Sequence, residues 1–214
     1  THWHHLFNPR QLLLAGLINQ VSAVKLKFGL TQVLNNNCRS SRWHPASGVG
    51  QTVGIFDNQA LNTLFNYGCR GVESASSFLL QGYKNFPFAH NISAIVVNQP
   101  ADKLSVENDL YITDPPYGDA VKYEEILEFF IAWLRKSPPP EFAGWVWDSR
   151  RALAIKGEDE EFRQNMVAAY RNMAEHMPDN GLQVIMFTHQ SGSIWGDMAN
   201  IVWAAGLQVT AAWY

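Results

Sequence analysis

Hydrophobic positions change their period near residue 86, and the change divides the sequence into two regions. Before it, apolar residues recur every three or four positions; in the first such run they are Leu12, Leu13, Leu17, Val21 and Val24. This spacing predicts a helix from Pro9 to about Leu34, with Asn8 as its N-cap and Gly29 as a candidate break. Further helices are predicted over residues 57–67 and 72–83, so residues 1–85 are expected to form a mainly helical region.

Beyond residue 86, short runs rich in β-branched residues alternate with longer amphipathic segments. The predicted strands are Ile92–Val97, Leu110–Thr113, Leu182–Phe187 and Leu207–Trp213. The predicted helices are Asp119–Lys136, Glu158–Met177 and Ser193–Ala205. Strands that alternate with helices indicate a partly parallel sheet, so residues 86–214 are expected to form an α/β domain.

The strand Leu110–Thr113 leads directly into an Asp-Pro-Pro-Tyr turn at residues 114–117. Pro115 disfavours helical backbone at Asp114, and both prolines fix their own φ and offer no N–H donor. Parallel α/β sheets bind ligands at the carboxyl ends of their strands. The Asp114 carboxylate and the Pro115 carbonyl can accept both N–H groups of a conjugated exocyclic amine, and Tyr117 can stack on its base. Such acceptors would also stabilise positive charge that develops on the nitrogen during methyl transfer.

The Asp-Pro-Pro-Tyr turn is accompanied by several other segments. They are Glu128-Phe129-Phe130 and Trp133-Leu134 in the next helix, the stretch Gly181–His189, and the opening stretch His2–Leu13. Together they resemble the later part of a family of adenine-specific DNA methyltransferases that carry a zinc ribbon. The resemblance covers most of the chain and is patchy between about residues 35 and 91.

This resemblance implies an activity, a cofactor and a cellular setting. The implied fold is a partial Rossmann-like methyltransferase sheet with a mainly helical N-terminal region. The implied reaction transfers a methyl group from S-adenosyl-L-methionine to N6 of adenine in DNA, which must first flip out of a duplex. DNA is the implied partner, and the setting is the prokaryotic cytoplasm, with restriction-modification as the context.

The resemblance also assigns roles to individual residues. Asp114 and Pro115 would hold the amine, Pro116 would set the turn, and Tyr117 would stack on the base. The cofactor-binding candidates are Asp102, Thr113 and Asp114. The candidate contacts to substrate or DNA are Tyr123, His189, Arg150 and Arg151.

The sequence departs from the family pattern at the cofactor. Gln99-Pro100 stands where family members carry a Gly-Asp pair, and no strand followed by Gly-x-Gly occurs in the chain. We therefore expect a piece of a longer protein, or a divergent member of the family, that holds the amine pocket and half of the sheet. The missing N-terminal part of the same protein, or a partner in a defence or restriction system, would complete it.

Composition limits what else the chain can do. A net charge of −3 over 214 residues argues against wholesale electrostatic attachment to nucleic acid. A local basic patch stays possible, with candidates Lys25, Lys27, Arg39, Arg42 and Arg70, although solvated surface charge is the simpler interpretation of the two lysines. Two cysteines are too few for a zinc ribbon or a disulfide framework, and no apolar run approaches membrane-spanning length. No metal site is predicted, and His2, His4 and His5 are interpreted as surface histidines.

Several alternatives remain open at this point. The target could be N4 of cytosine, an RNA base or a protein amide. A different class is a non-catalytic nucleic-acid-binding module that keeps the methyltransferase sheet. The loop with Trp145 and Trp147 suits a nucleic-acid contact, or its tryptophans pack the loop down. His189 either lines the pocket or is a hydrogen-bonded residue at a strand end.

Overall fold

The computed structural model describes residues 2–21, 23–41, 53–56, 76, 79, 93–116, 123–148, 155 and 159–213. This part of the chain has a mixed α/β architecture with five α-helices and a two-stranded parallel sheet. In chain order the elements are α1 (Pro9–Gln20), α2 (Val24–Asn36), β1 (Leu110–Thr113), α3 (Tyr123–Leu134), α4 (Asp159–Glu175), β2 (Leu182–Ile185) and α5 (Gly192–Ala204). Short 3-10 turns occur at Trp3–Leu6, Ala101–Lys103 and Pro140–Phe142. None of these helices has both the length and the apolar character that a bilayer crossing requires.

The chain forms two compact units. The first comprises Thr1–Ala94 and Tyr123–Ser149, and the second comprises Ile95–Lys122 and Arg150–Tyr214. Helix α3 contacts α2 and so groups with the N-terminal helices, whereas the sequence alone placed it within the region 86–214. The predicted helices at 57–67 and 72–83 lie outside the described residues, apart from residues 76 and 79, which are helical.

Helix α1 begins as predicted at a capping box. The Asn8 side chain accepts a hydrogen bond from the Gln11 N–H at 2.9 Å, and the Gln11 side chain accepts one from the Asn8 N–H at 2.8 Å. Pro9 occupies the first helical position, where its missing N–H costs nothing. Two backbone donors at the helix start are therefore satisfied by side chains.

Replacing Asn8 with alanine is expected to lower the free energy of unfolding by about 1 kcal/mol, because the Gln11 N–H loses its side-chain acceptor. Urea denaturation of the purified protein measures this change. Asn8→Ser keeps a capping oxygen and is the matched control, with a much smaller expected effect. Equal losses in the two variants would contradict a capping role.

The predicted single helix from Pro9 to Leu34 is in fact two helices. The break lies between Gln20 and Val24, where Val21 and Ala23 both take extended backbone conformations. Gly29 does not mark a break and lies inside α2. Close packing, and not a change of backbone conformation, requires glycine at this position. A Cβ at that position would lie 2.8 Å from the backbone of Leu79, so only a residue without a side chain fits.

Helix α3 supplies the centre of the first hydrophobic core. Phe129 is fully buried there, and its ring meets those of Trp3 at 5.7 Å, Phe7 at 6.0 Å and Phe130 at 5.1 Å. Helical spacing in the sequence predicts an apolar face that comprises Tyr123, Ile126, Leu127, Phe130, Ile131 and Leu134. That prediction was wrong in part, because Tyr123 and Leu127 are exposed and the omitted Phe129 is the centre of the core.

Lys27 is the most unusual side chain of the first unit, because it is completely buried. Its ammonium group donates hydrogen bonds to the Asn19 carbonyl, to Asn19 Oδ1 at 3.0 Å and to Ser137 Oγ at 2.8 Å. The Asn19 amide in turn donates to the Trp133 carbonyl at 2.7 Å. Asn19 and Trp133 lie in the last turns of α1 and α3, so the charge sits at two helix C-termini, the ends that favour cations. Both interpretations of Lys27, as a member of a basic patch and as a solvated surface charge, were therefore wrong.

The second unit is built on the parallel pair β1 and β2, in which Leu110 pairs with Leu182 and Thr113 with Ile185. One face of this pair packs against α4 and α5. The buried residues of that core are Tyr111, Met166, Tyr170, Met173, Met198, Ile201, Val202 and Ala205. On the opposite face of β1, Leu110 and Ile112 are exposed. The predicted parallel arrangement is confirmed, and α4 lies in the crossover between the two strands.

Two predicted strands do not form in the described residues. Residues 93–97 and 207–213 have no strand pairing, and Ile95 and Trp213 are 83% and 85% exposed. At the second site the Leu207 N–H donates to the Val202 carbonyl across Gly206, whose φ of +87° closes the end of α5. That donor is used for the helix cap and is not available to a strand ladder there. Residues with strand propensity form a strand only when a neighbouring strand is available to pair with them.

Candidate amine-binding site

The pairing of β1 with β2 ends at Thr113, directly before the Asp-Pro-Pro corner. The Met186 N–H donates to the Thr113 carbonyl at 2.8 Å, and the Thr113 hydroxyl donates to the Val184 carbonyl at 3.4 Å. Asp114 is therefore the first residue beyond the ladder, at the carboxyl end of a parallel strand. This is the edge of an α/β sheet where ligands bind.

The corner combines a fixed backbone with an exposed charge. Pro115 is buried and Pro116 is half-buried, whereas Asp114 is exposed. The Asp114 carboxylate has no hydrogen bond or ion pair with any other described residue. Within the described part of the chain, its oxygens are thus available to accept hydrogen bonds from a ligand.

Three of the predicted site residues lie outside the described residues. They are Tyr117, Arg150 and Arg151. Stacking of Tyr117 on a base and contacts of the two arginines with DNA stay predictions.

His189 follows β2 on the same edge of the sheet, because the two strands are parallel. Its Nδ1 accepts a hydrogen bond from the Ser191 N–H at 3.0 Å, so the ring proton of the neutral form is on Nε2. Its carbonyl accepts from the Trp195 indole at 2.9 Å. His189 therefore helps to hold the connection between β2 and α5, in addition to any contact that it makes with a substrate.

Tyr170 of α4 is a buried residue that the sequence did not single out. Only 2% of its surface is exposed, and its hydroxyl has no hydrogen-bond partner in the described structure. Burial raises the pKa of Tyr170, the Thr113 hydroxyl lowers it in part, and the charge of Asp114 raises it further. The side chain belongs to the same buried cluster as Tyr111 of β1. In the sequence it was one of several apolar positions on the inner side of an amphipathic helix, which is the pattern of any core residue.

The cofactor candidates differ in what they can offer. Asp102 lies exposed in the turn Ala101–Lys103, which packs on α4, so its carboxylate could accept hydrogen bonds from hydroxyl groups. The Thr113 hydroxyl already donates to Val184, which leaves it only as an acceptor. Asp114 is the candidate shared with the amine. These groups suit the polar parts of a nucleoside, and no Gly-rich turn accompanies them in the described residues.

Three of the candidates for DNA binding are described in the first unit. Tyr123 is the exposed first residue of α3, in the first unit. Lys25 and Arg39 are exposed, whereas Arg42 and Arg70 lie outside the described residues.

The loop that carries Trp145 and Trp147 is stabilised by contacts of both tryptophans with Phe142. The Trp147 indole donates to the Phe142 carbonyl at 3.0 Å. The Trp145 ring lies 4.9 Å from the Phe142 ring. These contacts favour the packing interpretation of the loop over a contact with nucleic acid.

The histidines at the start of the chain lie close together, with ring centroids of His4 and His5 4.3 Å apart. Across the described ranges, however, no three His, Cys, Asp or Glu side chains are arranged to hold a metal ion. Comparison of the chain with family models, curated proteins and solved structures found no match.

Proposed function

We propose that the Asp114–Pro116 corner holds the exocyclic amine of adenine, and that the protein transfers a methyl group from S-adenosyl-L-methionine to N6 of that base in DNA. One observation carries the proposal most directly. An exposed carboxylate without a described partner stands on a proline-fixed backbone at the carboxyl end of a parallel strand. The wider fold proposed with it is a partial Rossmann-like sheet within residues 86–214.

The chemistry requires little more than positioning and charge stabilisation. The nitrogen lone pair of adenine is conjugated with the ring, so the amine is a poor nucleophile. Hydrogen bonds from its two N–H groups to the Asp114 carboxylate and the Pro115 carbonyl would orient the nitrogen and stabilise its growing positive charge. As the new N–C bond forms, the nitrogen must lose one proton, which the Asp114 carboxylate can accept. S-adenosyl-L-methionine, when bound, would supply an electrophilic methyl group, whose bond to sulfur breaks as the N–C bond forms and leaves a neutral thioether.

The proposal is tested by incubating the intact protein with labelled S-adenosyl-L-methionine and a single-stranded oligonucleotide containing one adenine. Label is expected in the DNA, and nucleoside analysis is expected to identify N6-methyladenine. The matched control replaces that adenine with purine, which lacks only the amine. Labelling of the purine oligonucleotide, or the appearance of N4-methylcytosine in its place, would contradict adenine as the target. DNA binding without any transfer would favour a non-catalytic module.

A further inference from the structure

Trp195, in the first turn of α5, has a fixed orientation although about half of it is exposed. Its indole N–H donates to the His189 carbonyl at 2.9 Å. Its ring lies 5.0 Å from the Phe187 ring, with the two ring planes nearly perpendicular. Nevertheless, 47% of the residue is exposed. These two contacts hold the indole against the residues that follow β2 and leave much of its surface in water.

Exposure alone does not distinguish Trp195, because single apolar side chains are common on protein surfaces. Trp203, about two helical turns further along α5, is more exposed, at 69%. No described hydrogen bond or ring contact involves the Trp203 side chain. Trp195 therefore differs from Trp203 in being held in place and in its position relative to the sheet.

A continuous series of contacts connects Trp195 with the Asp114 corner. The last described hydrogen bond between the two strands joins the Met186 N–H to the Thr113 carbonyl at 2.8 Å. Asp114 is the next residue after Thr113, and Phe187, whose ring contacts Trp195, is the next residue after Met186. Trp195 and Asp114 thus lie at the same edge of the sheet. This edge is formed by the carboxyl ends of the parallel strands, where α/β sheets bind ligands.

The available surface of Trp195 restricts the chemistry of a ligand. An indole has one donor, its N–H group, and here that group already bonds to His189. The side chain can therefore offer a ligand only its apolar aromatic surface, which suits stacking on a nucleobase of any sequence. Because the ring is already held in place, stacking immobilises no further side chain and costs little conformational entropy.

We infer that Trp195 stacks on a DNA base next to the target adenine, in a substrate strand that is unpaired at the site. Asp114 and Pro115 hold the amine of the adenine, and the indole holds a neighbouring base further along the same edge of the sheet. The contact adds affinity for single-stranded DNA without selecting a sequence. This inference rests on the proposed function, because that function supplies the adenine whose neighbour is stacked.

Removing the ring and removing the base test this contact from both sides. Binding of a single-stranded oligonucleotide with one adenine is measured by fluorescence anisotropy in the absence of cofactor. Trp195→Ala is expected to raise the Kd about tenfold, because one stacked base is lost. Trp195→Phe, which keeps an aromatic ring, and the control Trp203→Ala are expected to stay within about threefold of the wild type.

The base is removed by placing an abasic site on either side of the adenine in turn. At one of the two positions, the abasic site is expected to raise the Kd of the wild type about tenfold and to leave that of Trp195→Ala nearly unchanged. Abasic sites that weaken binding equally in the wild type and in Trp195→Ala would overturn the inference.

A second measurement uses the protein without substitutions, so it does not depend on the folding of a variant. In protein labelled with 5-fluorotryptophan, the 19F signals of Trp195 and Trp203 are assigned by their loss in the corresponding phenylalanine variants. A saturating amount of the oligonucleotide is expected to shift the Trp195 signal and to leave that of Trp203 in place. An unmoved Trp195 signal would overturn the inference. An equal shift with S-adenosyl-L-methionine alone would also overturn it, because the ring would then stack on the adenine of the cofactor.

The two proposals can fail separately. If the abasic site and Trp195→Ala show the expected coupling but the wild type transfers no methyl group, stacking of a DNA base on Trp195 is supported and the methyltransferase function is overturned. If the wild type methylates adenine and Trp195→Ala matches it in Kd and in KM for the oligonucleotide, the function stands and the role of Trp195 is overturned.

Discussion

Replacing Asp114 with asparagine is expected to lower kcat for methyl transfer about 10²- to 10³-fold, the loss typical of removing one preorganised group that stabilises developing charge. Asparagine has nearly the same shape as aspartate and keeps one acceptor oxygen. It lacks the negative charge, and it brings an NH2 group that competes with the amine of the substrate. Because Asp114 is exposed, the free energy of unfolding is expected to change by less than about 0.5 kcal/mol.

The matched control for this variant is Asp109→Asn, at the other end of β1. Asp109 is also exposed, and its backbone carbonyl accepts a hydrogen bond from the Leu182 N–H, which the substitution leaves intact. Initial rates with saturating labelled cofactor measure both variants. Equal rates in Asp114→Asn and Asp109→Asn would contradict a role of Asp114 in the site. A loss of rate that is explained by unfolding, as measured by circular dichroism, would also contradict that role.

The second large effect is expected at Lys27. Lys27→Ala should lower the free energy of unfolding by about 2–5 kcal/mol, the range for truncating a large buried side chain. The substitution deletes a fully buried side chain and leaves three acceptors of Asn19 and Ser137 without their donor. Lost packing and unsatisfied polar groups therefore act in the same direction.

Lys27→Met separates these two contributions, because methionine keeps most of the apolar volume and removes the ammonium group. Its expected loss is about 1–3 kcal/mol, the cost of leaving buried acceptors unpaired. Lys25→Ala, at an exposed position of the same helix, is the control and is expected to change stability by less than about 0.5 kcal/mol. Urea denaturation measures all three variants. A Lys27→Ala variant as stable as Lys25→Ala would contradict the buried network.

Burial lowers the pKa of Lys27, so the contribution of this residue to the free energy of unfolding depends on pH. Below its usual pKa of 10.5 the unfolded chain binds the proton more tightly than the folded protein does. The contribution of this group to stability therefore rises as pH increases from the lowered pKa toward 10.5. The difference in stability between the wild type and Lys27→Met should widen in the same window.

Local features of the fold could be predicted from the sequence because they depend on neighbouring residues. The Asn8 cap, the end of α5 at Gly206 and the strands Leu110–Thr113 and Leu182–Ile185 are of this kind. The predicted strands at 92–97 and 207–213 failed because a strand depends on a partner that local sequence does not specify. The break between α1 and α2 was missed because the apolar spacing continues through Val21 and Val24.

The candidate site divides in the same way. The turn with Asp114 and Pro115 could be predicted, because prolines restrict the backbone conformation and are visible in the sequence. The place of Tyr170 in the core could not be predicted, because it arises from the packing of α4 against β1. These two elements are separated by 45 residues, between Thr113 and Asp159. Lys27 was misjudged for the opposite reason: lysine is almost always exposed, and only tertiary structure provides acceptors for it inside a core.

The Lys27 network also has a consequence for the order in which the molecule can be completed during synthesis. The bond between Lys27 and Ser137 spans 110 positions of the chain. The ribosome must therefore pass residue 137 before the helical unit can close around this charge. By then β1 and the Asp114 corner have already been made, while β2, the strand that pairs with β1, has not. The nascent protein thus passes through a stage in which the helical unit has all the residues of this network and the sheet is still a single strand.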